Sequence, residues 1–461
     1  MSDQLFSDFA PMDKNAWAKQ AQKELKEKFG SATSWDVGSG LRFNSYATYE
    51  DLDAEKVAAM QQCQKKVPGW LNVPELEFSH PLQTNLALKN ALENGADAAL
   101  INLGHNALSQ CEFPKLLHGI RLTDTPIYFQ TSENPEDLFS HISKNASYYL
   151  KGGIAFDPVA DWMRYGKSFE TRIESVAAVL TRTKNMREFR PVMVETHVYH
   201  NNGADPVQEL AFTTAATVTY MDHLTDAGIS PLGAFNRMLF SVSIGTQYLT
   251  EIAKLRAFRF LLRNISRAYA LPDELSNPFI QAQTSSFYSS TAAPFTNMIR
   301  ASSEAMSGTI GGCNALTVSG YVANAASPND LSGRVARNLS SVLYHESAFG
   351  TVADPAAGSY LLEKMSIDLA EQSWSLFLDI EEKGGLVECF ERGFIKEELG
   401  RSLTQKIQTS QNKGIMVGVN KFTEPGEDTD LLIKNPPQTE SPFLSHDKSL
   451  SECFKSRPAS L

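Results

Sequence analysis

The sequence lacks most of the signatures that would assign it a chemistry at sight. Its five cysteines (Cys63, Cys111, Cys313, Cys389 and Cys453) are scattered and form no CxxC pair. That argues for reduced thiols and against a structural zinc site. No apolar run approaches the length of a membrane span. The opening MSDQLFSDFAPMDKNAW has neither the basic end nor the apolar stretch of a secretion signal. Basic residues are in deficit: 42 Lys plus Arg against 53 Asp plus Glu leave a net charge of −11. A basic stripe able to track phosphates is missing, which argues against nucleic acid as a partner. There is no Walker loop, no HExxH and no GxSxG. Together these absences predict a cytoplasmic protein with neither a membrane nor a nucleic-acid partner.

What is present is apolar material in a regular order. Hydrophobic residues make up 42% of the 461 residues, enough for two or three domains or one large α/β barrel with extensions. From about residue 80, helical stretches alternate with short apolar runs: AALIN (98–102), TPIYFQ (125–130), GIAFD (153–157), PVMVE (191–195), RMLFSVS (237–243), FIQAQT (279–284) and NALTVS (314–319). The runs lack period-two alternation, as strands buried on both faces of a parallel sheet do. Gly350 to Ala353 reads as a weak eighth. The pattern predicts a (β/α)8 TIM barrel over residues 80–422. An open doubly wound sheet fits less well, because no Gly-rich nucleotide loop follows any run. Asp205-Pro206-Val207-Gln208 and Ser327-Pro328-Asn329-Asp330 each read as the capped start of a helix.

The flanks differ from the barrel. Residues 1–79 read as an N-terminal arm in which Asp13 caps a helix running to Phe29. Trp17, Ala21, Leu25 and Phe29 recur at i+4 steps as one apolar stripe. Packing on its own domain and docking on a second subunit both suit that stripe. Residues 423–461 are rich in Pro, Ser and charge and read as an extended tail. Gly311-Gly312 reads as a turn into NALTV, and Cys313 as a small buried residue.

One segment, RVARNLSSVLYHESAFGTVADPAAGSY (334–360), is strongly patterned without a catalytic signature. A helix through it would bury Leu331, Val335, Leu339 and Val342, and ADPAAGSY would supply a turn. The motifs RVARN and ADPAAGSYLLE resemble a barrel segment of the methylmalonyl-CoA mutases. EIAKLRAFRFL (251–261), QTSSFYSSTAAPFTNMIRASSEAM (283–306) and VGVNKF (417–422) resemble further segments of that family in the same order. The resemblance covers about residues 190–422. It implies an adenosylcobalamin-dependent rearrangement between succinyl-CoA and methylmalonyl-CoA, whose hard chemistry the cofactor supplies. It also implies a barrel that threads CoA along its axis and a flavodoxin-like domain whose DxHxxG histidine ligates cobalt.

The sequence departs from that pattern where the family's chemistry resides. No DxHxxG motif occurs in the 461 residues, and 39 residues follow Phe422. The expectation is therefore a chain with no cobalamin-binding flavodoxin-like domain. The RPWTIRQY-type stretch has no counterpart near Ser79 to Asn94, and GIAFDPVADWMRYGK stands where TIQND is expected. Gln281 or Ala282 stands in place of a histidine before QTS. Tyr199-His200 aligns with the family's Tyr-His pair after a one-residue gap, and a hydrogen-bonded loop histidine is the simpler role for His200.

The resemblance thus points to the small, β, non-catalytic subunit of a heterodimeric mutase, with adenosylcobalamin bound by the large partner. No catalytic, cofactor or metal residues are assigned; Tyr199, His200, Gln281 and Ser285 are candidates for a vestigial pocket. The alternative is a catalytic acyl-CoA mutase barrel served by a separate corrin-binding protein. If the partner docks on a large apolar face, the isolated chain is expected to aggregate or dimerise.

Overall fold

The computed structural model describes residues 13–145, 148–290, 293–321, 330–412, 414–422, 443–444 and 447–451. Strands β1 (Ser34–Gly38) and β2 (Leu41–Asn44) form an antiparallel hairpin in the arm. Among the described residues all other strands belong to two parallel five-stranded sheets. The first holds β4 (Glu75–Glu77), β5 (Ala99–Asn102), β6 (Ile127–Gln130), β7 (Gly152–Ala155) and β8 (Phe189–Arg190). The second holds β9 (Val192–Glu195), β10 (Met238–Ile244), β11 (Phe279–Thr284), β12 (Ala315–Thr317) and β3 (Leu71–Asn72).

The two sheets are separated only by prolines. Pro74 divides β3 from β4, and Pro191 divides β8 from β9; neither residue has an N–H for the ladder. Backbone bonds nonetheless run on across both breaks. Val73 N–H reaches Leu316 O at 2.9 Å, Pro74 O accepts from Leu100 N–H at 3.0 Å, and Met193 N–H reaches Phe156 O at 2.9 Å. Since β12 pairs with β3, the order is consistent with a (β/α)8 barrel of eight strands, two of them broken. At Gly152 (φ +98°) the chain passes so close to the Ile127 backbone that a Cβ would collide with it.

The seven expected runs all contribute strands. The eighth does not lie at Gly350 to Ala353, where Phe349–Thr351 is a single 3-10 turn. It is instead the broken strand of residues 71–77, whose internal proline and polar residues disguise it.

One layer of side chains fills the middle of the strands. Val73, Leu100, Tyr128, Ala155, Met193, Leu239 and Ala315 pack together, with Phe279 against them. Each comes from a different strand of the eight, so the axis is a packed core rather than a pore. Outside, the Pro206–Asp226 and Tyr248–Ala268 helices are buried along most of their length. The Tyr360–Glu382 helix covers both. The former is buried almost all round, its polar Gln208, Glu209, Thr213, Thr214 and Thr217 included.

Two helices differ from expectation. The Lys14–Leu25 helix is capped by Asp13, whose Oδ1 accepts from Ala16 N–H at 2.7 Å, yet it has no fully buried residue. Its stripe is half-buried, with Trp17 stacked on Tyr46. In the Asp330–His345 helix the face against the barrel is Ser332, Ala336, Ser340 and Leu343. Leu331 and Val342 are exposed, and Val335 and Leu339 half-buried. Small residues are needed there because Trp70 Nε1 donates to Ser340 Oγ at 3.0 Å and a Cβ on Gly320 would collide with Ser332. The proposed helix start at Ser327 to Asn329 lies outside the described residues, as does most of the tail. The described tail residues form no helix or strand and pack on the barrel: Leu444 N–H bonds Met163 O and Leu450 N–H bonds Phe287 O.

Candidate functional site

A cavity of about 500 Å³ opens at the carboxyl ends of the strands, where barrels of this kind carry their sites. Leu100, Ala155 and Met193, from the packed layer, reach into its wall. Above them the wall is polar. Asn102 and Gln130 end β5 and β6, Asp157 follows β7, Glu195 ends β9, and Gln281 and Gln283 stand on β11.

Asp157 caps the Pro158–Tyr165 helix through Ala160 N–H at 2.9 Å. It also accepts from Glu195 N–H at 2.8 Å and from the Tyr220 hydroxyl. Burial, with Glu195 adding repulsion, pushes its carboxyl up to about 7. Glu195 is ion-paired with Arg164, which also faces Asp447 at 3.6 Å. Although burial opposes it, these two carboxylates hold the guanidinium firmly charged. Asp161 pairs with Arg172 and lies 3.6 Å from Lys167. Glu75 has no such cation among the described residues. Its oxygens accept from Asn102 Nδ2 and Gln283 Nε2, both at 3.3 Å. Burial and the neighbouring Glu77 push it up to about 7.

His197 lies between two serines, with Nε2 at 2.8 Å from Ser241 Oγ and Nδ1 on Ser243 Oγ. Burial lowers its pKa, favouring the neutral ring. With hydroxyls on both nitrogens, no carboxylate orients it as a general base. Among the described residues no group of three or more His, Cys, Asp or Glu could hold a metal ion.

The four candidate pocket residues separate. Gln281 lines the cavity and donates to Thr317 Oγ1 at 2.6 Å. His200 and Ser285 meet at 2.7 Å, but neither lines the cavity. His200 Nδ1 is 2.7 Å from Glu209 Oε1, and its ring meets Phe287 and Tyr288 edge-on. Tyr199 is buried against Phe212. Glu209 leads on to Lys254 at 2.8 Å, and Lys254 to Glu251 at 2.6 Å and to Ser243 O at 2.8 Å. Against the cost of burial, Lys254 and His200 hold the Glu209 carboxyl down to about 2.

Sequence reasoning passed over Glu75, Asp157, Arg164, Glu195 and His197, all on the cavity wall. A signal for several was present. All seven apolar runs close on a polar residue, and six of these (Asn102, Gln130, Asp157, Glu195, Thr284 and Ser319) line the cavity.

The family model described as methylmalonyl-CoA mutase matches residues 109–442. The chain belongs to the methylmalonyl-CoA mutase family. It is 27% identical to the methylmalonyl-CoA mutase small subunit of Porphyromonas gingivalis, over 91% of this chain and 71% of that one. A probable small subunit of Mycobacterium bovis is 27% identical over 75% of this chain and 57% of its own. The methylmalonyl-CoA mutase of Cereibacter sphaeroides is 31% identical over 90% of this chain and 65% of its own. The chain thus spans between roughly half and three quarters of these relatives.

Membership of the mutase family explains where its motifs meet. Arg256 of EIAKLRAFRFL is fully buried. It is clamped by Asp354 and by Glu363, the latter at 2.7 Å, both from ADPAAGSYLLE. The RVARN segment ties to the first strand, because Arg337 O accepts from Asn72 Nδ2 at 3.1 Å. These motifs fasten the outer helices to the strands.

Proposed function

We propose that this chain is the small, non-catalytic subunit of a heterodimeric mutase whose larger chain carries the succinyl-CoA/methylmalonyl-CoA rearrangement. The observation that carries the reading is the filled axis. A CoA chain threaded through the barrel would have to pass where Leu100, Tyr128, Met193, Leu239 and Phe279 pack, the first four with no more than 6% of their surface exposed. Opening that path would break up a close-packed layer. The names of the Porphyromonas and Mycobacterium relatives support the same assignment.

The residues present do not fit a corrin. Both nitrogens of His197 are engaged by serines, and His105, the other histidine of the cavity wall, is exposed with Nδ1 at 3.0 Å from Ser132 Oγ. Adenosylcobalamin is accordingly assigned to the partner chain, and its chemistry with it.

The organisation we propose is an arm, a barrel and a tail, with the barrel starting ahead of Leu71 rather than at residue 80. Unsatisfied apolar surface supports a protein partner. Phe295 and Ile299 on the Pro294–Ile310 helix are exposed, as are Leu331 and Val342 on the next outer helix, besides the half-buried stripe of the arm. Among the described residues no helix is long and apolar enough to cross a membrane, and we place the complex in the cytoplasm.

A tagged pull-down from the native host tests the reading. Co-purification of one larger chain in equal amount, with mutase activity on added adenosylcobalamin and succinyl-CoA, is expected. Activity with only a small corrin-binding protein would make this barrel the catalyst and overturn the reading.

A further inference from the structure

The Pro294–Ile310 helix lies on the outside of the barrel, yet its solvent side carries no exposed charge. Its two ionisable residues are Arg300 and Glu304. Glu304 is buried, and Arg300 is half-buried, donating to Asn297 Oδ1 at 2.8 Å and to Val417 O at 2.6 Å. The outward row is Phe295, Ile299, Ser302 and Met306, at steps of four, three and four. Phe295 is 63% exposed and Ile299 72%. A helix that faces water normally carries charge on that side. Large apolar residues on a face without charge are the composition of the centre of a protein interface.

The Asp330–His345 helix packs beside it and extends the same surface. Val335 and Leu339 are half-buried, and Val342 is exposed. A separate observation on this helix concerns charge. Arg334 is exposed and Arg337, nearly one turn on, is 9% exposed. Among the described residues no carboxylate pairs with either guanidinium, and Arg337 Nε is buried without an acceptor. Burial, with Arg334 adding repulsion, lowers the Arg337 pKa. In a chain with 53 Asp plus Glu against 42 Lys plus Arg, two adjacent guanidinium groups left unpaired stand ready for carboxylates from outside.

We propose that this two-helix face docks the large chain of the mutase. It receives an amphipathic helix whose apolar row lies over Phe295, Ile299 and Val342 and whose flanking carboxylates meet Arg334 and Arg337. Apolar anchors three and four residues apart suit a helix laid along them, and the planar fork of arginine selects carboxylate. A second copy of this chain fits less well. Its own Pro294–Ile310 helix offers no exposed carboxylate, and its Arg334 and Arg337 would add like charge. The inference rests on the subunit reading and adds where the partner sits.

The test repeats the tagged pull-down with full-length variants and measures the larger chain recovered per tagged chain. Ile299→Asp and Arg334→Glu, both at exposed positions, should each lower recovery about tenfold, with circular dichroism unchanged. Leu378→Asp, at an exposed apolar position on the Tyr360–Glu382 helix, should leave recovery as it is. If Ile299→Asp does not fold, Arg334→Glu still decides. Full recovery by both variants would overturn the docking face and leave the subunit reading, because the unaltered chain still holds its partner. Equal loss from Leu378→Asp would overturn the assignment to this face. Recovery of no larger chain by the unaltered chain would overturn the subunit reading and the inference with it. Self-association that Ile299→Asp disperses, seen by sedimentation, would make the occupant a second copy and overturn the partner named here.

Discussion

The two ends of the barrel axis obey different rules. Lower along the axis, the eight strands each contribute an apolar side chain to one packed cluster. A few residues further toward the carboxyl ends, the same strands present carboxylates, amides and hydroxyls to a cavity. The transition happens within single strands: Leu100 belongs to the layer and Asn102 to the polar wall, Leu239 to the layer and Ser241 to the wall. A period of two along each strand keeps both sets pointing inward. The lower set packs the interior, and the upper set lines the cavity.

The largest expected effect lies beneath the polar end, in the ionic chain His200–Glu209–Lys254–Glu251. Lys254→Met removes the lysine that pairs with both buried carboxylates, leaving Glu209 to His200 and Glu251 without its ion pair. It should cost about 3–5 kcal/mol, read as a shift in the urea midpoint. A smaller loss would mean that water reaches the network. Next comes the apolar layer. Leu239 is fully buried, and Leu239→Ala should cost about 2–5 kcal/mol, depending on how far the cavity collapses. If it also admitted CoA, detected by equilibrium dialysis, the plug would be the only barrier along the axis. At the polar end, Gln281→Leu forfeits one hydrogen bond to Thr317 and should cost only about 1 kcal/mol. A loss equal to that at Leu239 would erase the proposed division between scaffold and site.

Much of this division was legible in the amino-acid order. Buried parallel strands show as unbroken apolar runs, and the runs of residues 98–102, 125–130 and 279–284 each contain a strand. The strand of residues 71–77 was hidden by physical causes: Pro74 interrupts its ladder, and Asn72 and Glu75 face the interior surroundings with polar groups. The Asp330–His345 helix misled for a related reason. Apolar periodicity marks the row that avoids water, not necessarily the row nearest the barrel. Here close approach to Trp70 demands serine and alanine, and the apolar row is turned partly outward, with Leu331 and Val342 exposed and Val335 and Leu339 half-buried. Of the four candidate pocket residues, Gln281 lies on the cavity wall. Tyr199 and His200, on the short His197–His200 helix after β9, and Ser285, just past β11, are packed or bonded behind it, because a motif fixes order along the chain but not which way a side chain beyond a strand turns.

The smallest effect is the one most specific to the cavity, and its sign can be worked out. The Glu75 carboxyl is raised from 4.5 to about 7 in the folded chain. Between those values the folded state holds a proton that the unfolded state has released, so stability declines as pH rises through this window and levels off above it. Asp157, raised likewise to about 7, adds to the decline with the same sign. Glu209, held near 2, acts in the opposite sense but at lower pH, since it is ionised in both states above its unfolded value. Glu304 and Asp205, also raised, and His197, lowered, titrate differently in the two states as well, so it is the difference between the unaltered chain and Glu75→Gln, from about pH 5 to about pH 8, that isolates the share of Glu75. Glu75→Gln should remove part of the decline, under about 1 kcal/mol after screening by the open cavity mouth, and leave the part owed to Asp157. Urea denaturation of both chains at the two pH values measures it. An unchanged decline would place the raised carboxyl elsewhere on the wall.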